Sequence, residues 1–279
     1  MKTQLSSWTV LSGGSDRDVV LAVDFPVTGR PEAGFADLAP RLEPGQAFWQ
    51  TVPPQVTPGS GLTGSDYIER WDAELAGSGV TVRGILGFCV GSVYGAALAE
   101  RIAARQDEPP ALILLDPEQA TVGTLYWQFE KMIGNLAGVF PQDKVTMLRS
   151  EAARLAEVQP PDVTRFAAEL FHLFLPVAKQ TLADMGLDET SSGEILGMFG
   201  AFISYLSIAA QLDVESAWRS ATAISSTSPQ SGLNPHRTAD GSDSALVAKE
   251  LRVDVEHPEL LRSDRVAEAI TGLLRVDQR

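Results

Sequence analysis

The sequence has little cysteine, little positive charge and no long apolar run. A single cysteine, Cys89, in a chain of 279 residues excludes an internal disulfide and is typical of a reducing compartment. The longest apolar stretches, such as ALILL at 111–115, have the length of a strand and are far too short to cross a bilayer. The segment MKTQLSSWTVLSGG also lacks the apolar centre of a signal peptide. We therefore expect a soluble, cytoplasmic protein with no membrane partner.

Positive charge is scarce: 22 Lys and Arg stand against 36 Asp and Glu, which gives a formal net charge of −14. Such a surface repels phosphate backbones, so the composition argues against nucleic acid as a partner. An acidic protein partner would have to bind to a local basic or apolar patch.

The first part of the chain alternates between two kinds of pattern. Strand-like apolar runs are DVVLAVDF (18–25), AFWQTVP (47–53), TVRGILGF (81–88) and PPALILLDPE (109–118). Helix-like runs between them occupy 34–44, 66–79 and 92–105. This alternation predicts an α/β fold, with a mostly parallel sheet and helices on both of its faces.

Residues 119–216 have helical periodicity and almost no strand signal. Strand-like patterns return at 220–228 and 246–256, on either side of a polar loop, and a helix is expected at 262–276. The predicted organisation is a core of residues 1–118 and 217–279, interrupted by a helical insertion at 119–216.

The segment GFCVG places Cys89 between a strand-like and a helix-like run. In a nucleophile elbow the chain turns so tightly that side chains two positions before and after the nucleophile collide. Gly87 and Gly91 occupy those two positions. Free cysteines are more often buried and inert, so a packing role is the alternative. The context favours a nucleophile.

A cysteine nucleophile needs a base, and the sequence has three histidines. His172 lies in an apolar helical pattern, which is typical of a packed residue, and His236 lies in the polar loop. His257 follows the last strand-like run, where the order nucleophile, acid, histidine places a base. His257 is the predicted base.

The acid has two candidate positions. Asp116 ends the strand-like run LILLD, at the carboxyl edge where parallel sheets collect functional groups, although it could also only cap the turn before Pro117. Asp240 and Asp243 lie in the polar loop and are the alternative.

Taken together, GFCVG, LILLDPE, the long helical insertion and HPELLRSDRVAEAI resemble the thioesterases of nonribosomal peptide and polyketide assembly lines, which serve antibiotic biosynthesis. The resemblance implies an α/β-hydrolase fold with a helical lid and neither cofactor nor metal. It implies an acyl or peptidyl carrier protein as partner, with the acyl group held on phosphopantetheine, and a small molecule as acyl acceptor.

The resemblance also implies roles for individual residues. By this resemblance Asp116 is the acid and His257 is the base. The backbone N–H groups of Val90 and Val27 are the implied oxyanion donors. The chain departs from the family pattern at three places: it has cysteine where serine is usual, FPVTGR in place of F-P-x-A-G-G, and no glycine before the histidine. The second donor, Val27, depends on the altered loop.

The cysteine itself suggests the reaction. Exchange of a carrier thioester for a cysteinyl thioester is nearly isoenergetic, so the acyl group stays activated toward an amine, a hydroxyl or water. We expect the paired imidazolium to lower the pKa of the thiol by several units. The alternatives are a hydrolytic editing thioesterase, a free-standing cysteine hydrolase of small esters or lactones, and a non-enzymatic scaffold with a degenerate site.

Aromatic residues are concentrated in the helical insertion. Four of them are predicted to bind the acyl chain: Trp127, Phe171, Phe199 and Phe202. Packing of the insertion is the alternative role for each of them.

Overall fold

The computed structural model describes residues 5–14, 17–26, 32–160, 162–240 and 246–276. For residues 238–240 and 276 it describes the backbone only. The chain divides into two compact units. One unit consists of Met1–Val52, Gly64–Glu118 and Leu212–Arg279, and the other of Pro53–Thr63 and Gln119–Gln211.

The first unit contains a seven-stranded sheet. Its strands are β1 (Trp8–Ser12), β2 (Asp18–Val23), β3 (Ala47–Thr51), β4 (Thr81–Phe88), β5 (Ala111–Leu115), β6 (Thr222–Ser225) and β7 (Lys249–Arg252). The spatial order is β1-β3-β2-β4-β5-β6-β7, and only β1 runs antiparallel to its neighbour. Strand β1 was not predicted from the sequence. Only Trp8 is buried in it, and the Trp8 indole donates to Trp71 O at 3.2 Å.

Ten α-helices are present in the described residues. They are α1 (Phe35–Leu38), α2 (Gly64–Ser78), α3 (Gly91–Ala103), α4 (Val122–Leu136), α5 (Gln142–Ala156), α6 (Val163–Asp184), α7 (Glu189–Ala209), α8 (Glu215–Ser220), α9 (Asn234–Asp240) and α10 (Asp264–Val276). Two 3₁₀ helices span Ala39–Arg41 and His257–Arg262. Helices α4 to α7 belong to the second unit and the others to the first.

The alternation of side chains along the strands produces two apolar faces. On one face, buried residues of β2 to β6 share a core with α1 and α10. On the other face α3 lies against β4: a Cβ added at Gly95 would contact Ile85 Cγ2 and Gly87 Cα at 3.5 Å. Helix α2 covers α3 through Tyr67 and Tyr94, whose rings stack at 5.4 Å. The helices on both faces were predicted.

Two local predictions differ from the structure, and proline explains both. The helix expected at 34–44 ends as α1 after Leu38 and continues as a 3₁₀ turn containing Pro40, which has no N–H to donate. The polar loop contains α9, which begins at Asn234 with Pro235 in its first turn. Proline is favoured there because the first N–H groups of a helix have no partner within it.

The second unit is built on an aromatic cluster. The rings of Phe129, Phe140, Phe171, Phe174 and Phe199 make pairwise contacts with centroids 4.3–6.4 Å apart. The unit also includes the loop 53–63, which the sequence analysis had placed in the core. Thr57 of this loop packs on α7, since a Cβ added at Gly200 would lie 2.7 Å from Thr57 Cγ2.

Helix α7 is the only helix in the described ranges that is long and apolar enough to span a membrane, and 61% of its apolar window is buried inside the protein. Buried core helices of soluble proteins have the same length and composition, so α7 by itself is not evidence for a membrane-spanning segment.

Candidate active site

Cys89 lies at a sharp turn between β4 and α3. Its φ is +51°, in the left-handed region that a residue with a side chain rarely adopts. Backbone hydrogen bonds hold the turn: Cys89 N–H donates to Leu115 O at 2.9 Å, and Cys89 O accepts from Ser92 N–H at 3.0 Å. Strained backbone of this kind costs about 1–3 kcal/mol and persists only where the surrounding structure enforces it.

The two flanking glycines are required by close backbone approaches. A Cβ added at Gly87 would lie 2.5 Å from Ser92 Cα, and one at Gly91 would lie 2.1 Å from Val23 O. Both distances are far below a normal contact, and both partners are backbone atoms that cannot rotate away. The structure thus gives the physical reason for the glycine spacing in GFCVG.

Asp116 follows β5 directly and is fully buried, with φ at +43°. Its Oδ1 accepts from Ser226 N–H at 2.8 Å, and its Oδ2 is 2.8 Å from His257 Nδ1. Gly232 lies against the carboxylate, because a Cβ there would be 2.7 Å from Oδ1. The carboxylate is therefore fixed on three sides.

His257 opens the 3₁₀ helix that precedes α10. Its backbone N–H donates to Ser228 Oγ at 2.9 Å, and its ring stacks on Phe88, with centroids 4.9 Å apart and planes at 15°. An ionised Asp116 only accepts hydrogen bonds, so Nδ1 carries the hydrogen and Nε2 is the basic nitrogen. The imidazole lies beside the elbow, since Phe88 directly precedes Cys89.

Glu118 is a site residue that sequence reasoning missed. The Cys89 thiol donates to Glu118 Oε2 at 3.1 Å, and Glu118 N–H donates to Cys89 O at 3.3 Å. Within the described residues no hydrogen bond joins the thiol to His257. The signal was present in LLDPE, where a second acid follows Asp116 with Pro117 between them.

The electrostatics of the thiol differ from the sequence-based expectation. Burial raises the pKa of Cys89 well above its usual range, and the carboxylates of Glu118 and Asp24 raise it further. The Val90 backbone N–H, the predicted oxyanion donor, acts in the opposite direction and lowers that pKa. The expected lowering of the thiol pKa by an imidazolium is therefore wrong for this arrangement, because the thiol is buried and paired with a carboxylate.

The other predicted residues fall elsewhere. His172 on α6 and His236 on α9 are exposed. Val27, Asp243 and the side chain of Asp240 lie outside the described residues. No group of three or more potential metal ligands occurs among the described His, Cys, Asp and Glu residues.

The four predicted acyl-binding aromatics have different surroundings. Phe199 is buried in the aromatic cluster of the second unit, and Phe171 stacks on it at 6.1 Å. Phe202 is partly buried, and the side chain of Trp127 is 52% exposed. Packing explains Phe199 and Phe171 without a ligand, whereas the exposed Trp127 is not explained by packing.

Comparison with solved structures identifies the fold. The chain is 15% identical to the Vlm2 thioesterase domain bound with a dodecadepsipeptide, with a TM-score of 0.53 and 98% of each chain covered. It is 16% identical to the NocB thioesterase domain in a covalent complex with a fluorophosphonate nocardicin G analog, with a TM-score of 0.51 and coverage of 96% and 99%. It is 14% identical to DBJA, with a TM-score of 0.54 and coverage of 98% and 95%.

Neither a family model nor a curated protein matches the sequence. At such low identity the likeness shows the fold alone. The predicted α/β-hydrolase fold is confirmed.

The close approach at the elbow gives a stability prediction. Gly91→Ala should destabilise the protein by about 3 kcal/mol, because the new methyl group meets the Val23 carbonyl. Gly272→Ala is the matched control: it lies in α10 with nothing within 4 Å of its Cβ position. That change should stabilise by about 0.5–1 kcal/mol. Urea denaturation of both variants measures the difference, and equal stabilities would contradict the elbow geometry.

The raised pKa of Cys89 gives a second prediction. The thiolate should form only above the range of an ordinary cysteine, near ~8.5, so alkylation by iodoacetamide should be slow at neutral pH. The rate should then rise with pH to a midpoint above that of the same cysteine in the urea-unfolded chain. Intact-mass analysis across a pH series measures both midpoints. A folded-state midpoint at or below neutrality would show that the thiol is not held by Glu118 in solution.

Proposed function

We propose that this chain is a stand-alone, thioesterase-like acyl-transfer enzyme of secondary metabolism, with Cys89 as nucleophile, His257 as base and Asp116 as the acid that orients it. The observation that carries the proposal is the 2.8 Å bond from His257 to the fully buried Asp116, placed beside a cysteine with a φ of +51°. Packing alone does not require a buried carboxylate–imidazole pair next to a strained cysteine.

The reaction begins when the thiol leaves Glu118 and donates to His257 Nε2, which takes its proton. Catalytic hydrogen bonds are often long in free enzymes and tighten only with substrate, so the resting contact to Glu118 is compatible with this step. The thiolate attacks the carbonyl of an acyl thioester on phosphopantetheine. The Val90 N–H holds the oxyanion, which contributes roughly 3–4 kcal/mol. The pantetheine sulfur then leaves with the proton from His257.

The product of this half-reaction is a cysteinyl thioester, which keeps the acyl group activated. An acceptor amine or hydroxyl, deprotonated by His257, attacks it in the second half. Sulfur therefore favours transfer or cyclisation, with hydrolysis by water as the alternative outcome. Asp116 stabilises the imidazolium formed in both halves by holding Nδ1–H.

The comparisons support the proposal at the level of fold, because the Vlm2 and NocB thioesterase domains share this architecture. The match to DBJA is equally good, so the fold by itself leaves the reaction open. The site residues and the resemblance of GFCVG and LILLDPE to assembly-line thioesterases supply the rest. A carrier protein as acyl donor, a small-molecule acceptor and a cytoplasmic location belong to this proposal.

Intact-mass analysis after mixing with acyl-pantetheine thioesters tests the proposal. Wild type should gain the mass of one acyl group, located on Cys89 by peptide mapping, and should lose it when an amine is added. Cys89→Ala should gain none. A chain that never acquires an acyl group from a range of thioesters would be better described as a scaffold. Loss of the adduct to water alone would favour the editing thioesterase.

The role of Asp116 can be separated from its fold contribution. Asp116→Asn should slow acyl transfer by about 10³–10⁴-fold, because the imidazole loses the acceptor for Nδ1–H. Asp240→Asn and Asp243→Asn should leave the rate nearly unchanged. Stopped-flow release of pantetheine measures the rates, and circular dichroism checks that each variant is folded. A large loss in either loop variant, with little loss in Asp116→Asn, would reassign the acid.

A further inference from the structure

We propose that Glu118 selects acyl groups that carry a protonated amine on the carbon next to the thioester carbonyl. The inference rests on the acyl transfer proposed above and identifies the substrate class of the same site. Glu118 is not part of the triad, yet its carboxylate is the group that the nucleophilic sulfur contacts.

The starting observation is the position of the carboxylate. Glu118 Oε2 lies 3.1 Å from Cys89 Sγ, and the backbone N–H of Glu118 is bonded to Cys89 O, which fixes the acid beside the nucleophile. Any acyl group on the sulfur therefore has its first atoms next to this carboxylate. Glu118 is only partly buried, whereas Asp116 is fully buried.

Acylation changes the hydrogen bonding of Glu118. In the free enzyme the S–H of Cys89 donates to Oε2. When the S–C bond to the acyl carbon forms and the pantetheine S–C bond breaks, the thiol proton passes through His257 to the pantetheine sulfur. The acyl-enzyme then has no S–H, so the hydrogen bond from this donor to Glu118 Oε2 is absent from it. A group on the acyl chain that donates to the same oxygen restores that hydrogen bond.

An ammonium group next to the acyl carbonyl replaces that donor. It lies one carbon from the acyl carbon, close to the sulfur, and presents N–H groups at the position from which the thiol donated. A charge-assisted hydrogen bond to a carboxylate is roughly twice as strong as a neutral one. An unsubstituted acyl chain presents only C–H groups there.

The surrounding charge acts in the same direction. After burial, the carboxylates of Glu118 and Asp24 both raise the pKa of the thiol, as negative charges close to the sulfur do. A negative potential disfavours the thiolate but favours a cation bound at the same place. The site therefore disfavours an unoccupied, ionised nucleophile and favours a cationic acyl group.

The test compares two thioesters with the same carbon skeleton, alanyl-pantetheine and propionyl-pantetheine, in single-turnover acylation followed by intact mass. Alanyl thioesters are intrinsically more reactive, so the measured quantity is the alanyl-to-propionyl rate ratio in wild type divided by that in Glu118→Gln. We expect this quotient to be roughly tenfold or more. Glu268→Gln, an exposed change on α10 of the same charge, should have the wild-type ratio. Glu118→Asp, which keeps the charge, should recover part of the preference.

The outcomes separate this inference from the proposed function. If neither thioester acylates Cys89, the acyl-transfer proposal fails and this inference with it. If both acylate wild type and the quotient is near one, acyl transfer stands and the selection by Glu118 is wrong. A uniform rise of both rates in Glu118→Gln, with the ratio unchanged, would show that Glu118 only holds the thiol protonated.

Discussion

The buried carboxylate of Asp116 holds the site together. It has no exposed surface, and its two oxygens are bonded to Ser226 N–H after β6 and to the His257 imidazole before α10. A buried carboxylate without such partners would cost several kcal/mol, so the two segments must be in place for the fold to bury this side chain. Three stretches that are far apart in sequence are therefore brought together by one side chain.

The ends of β4 and β5 form a matched pair. Each of these parallel neighbours is followed by a residue with positive φ, Cys89 after β4 and Asp116 after β5, although neither is glycine. Parallel strands place their carboxyl ends at one edge, and the hydrogen bond from Cys89 N–H to Leu115 O connects the two turns. Both turns therefore lie at the same edge of the sheet.

Much of the arrangement could be read from the sequence. The strand patterns predicted six of the seven strands, and β2, β4 and β5 in particular contain the continuous apolar runs typical of buried parallel strands. The glycine spacing predicted the elbow, because side chains at Gly87 and Gly91 would meet backbone atoms. Local rules were enough wherever the cause lies within a few residues. They did not reveal β1, whose place at the sheet edge depends on the packing of Trp8.

The sequence by itself determined the fold class and a short set of candidate residues; the tertiary structure decided how they are paired. Reasoning from the residues left Asp116 and the loop acids as alternatives for His257, and only the family resemblance favoured Asp116, because the contact spans 141 positions. It also missed Glu118, which looks like an ordinary acid after Pro117. Only the folding of the chain after β5 places one carboxylate on the imidazole and the next on the thiol. The raised pKa of Cys89 follows from its burial and from that placement, because a pKa responds to neighbours in space and not in sequence.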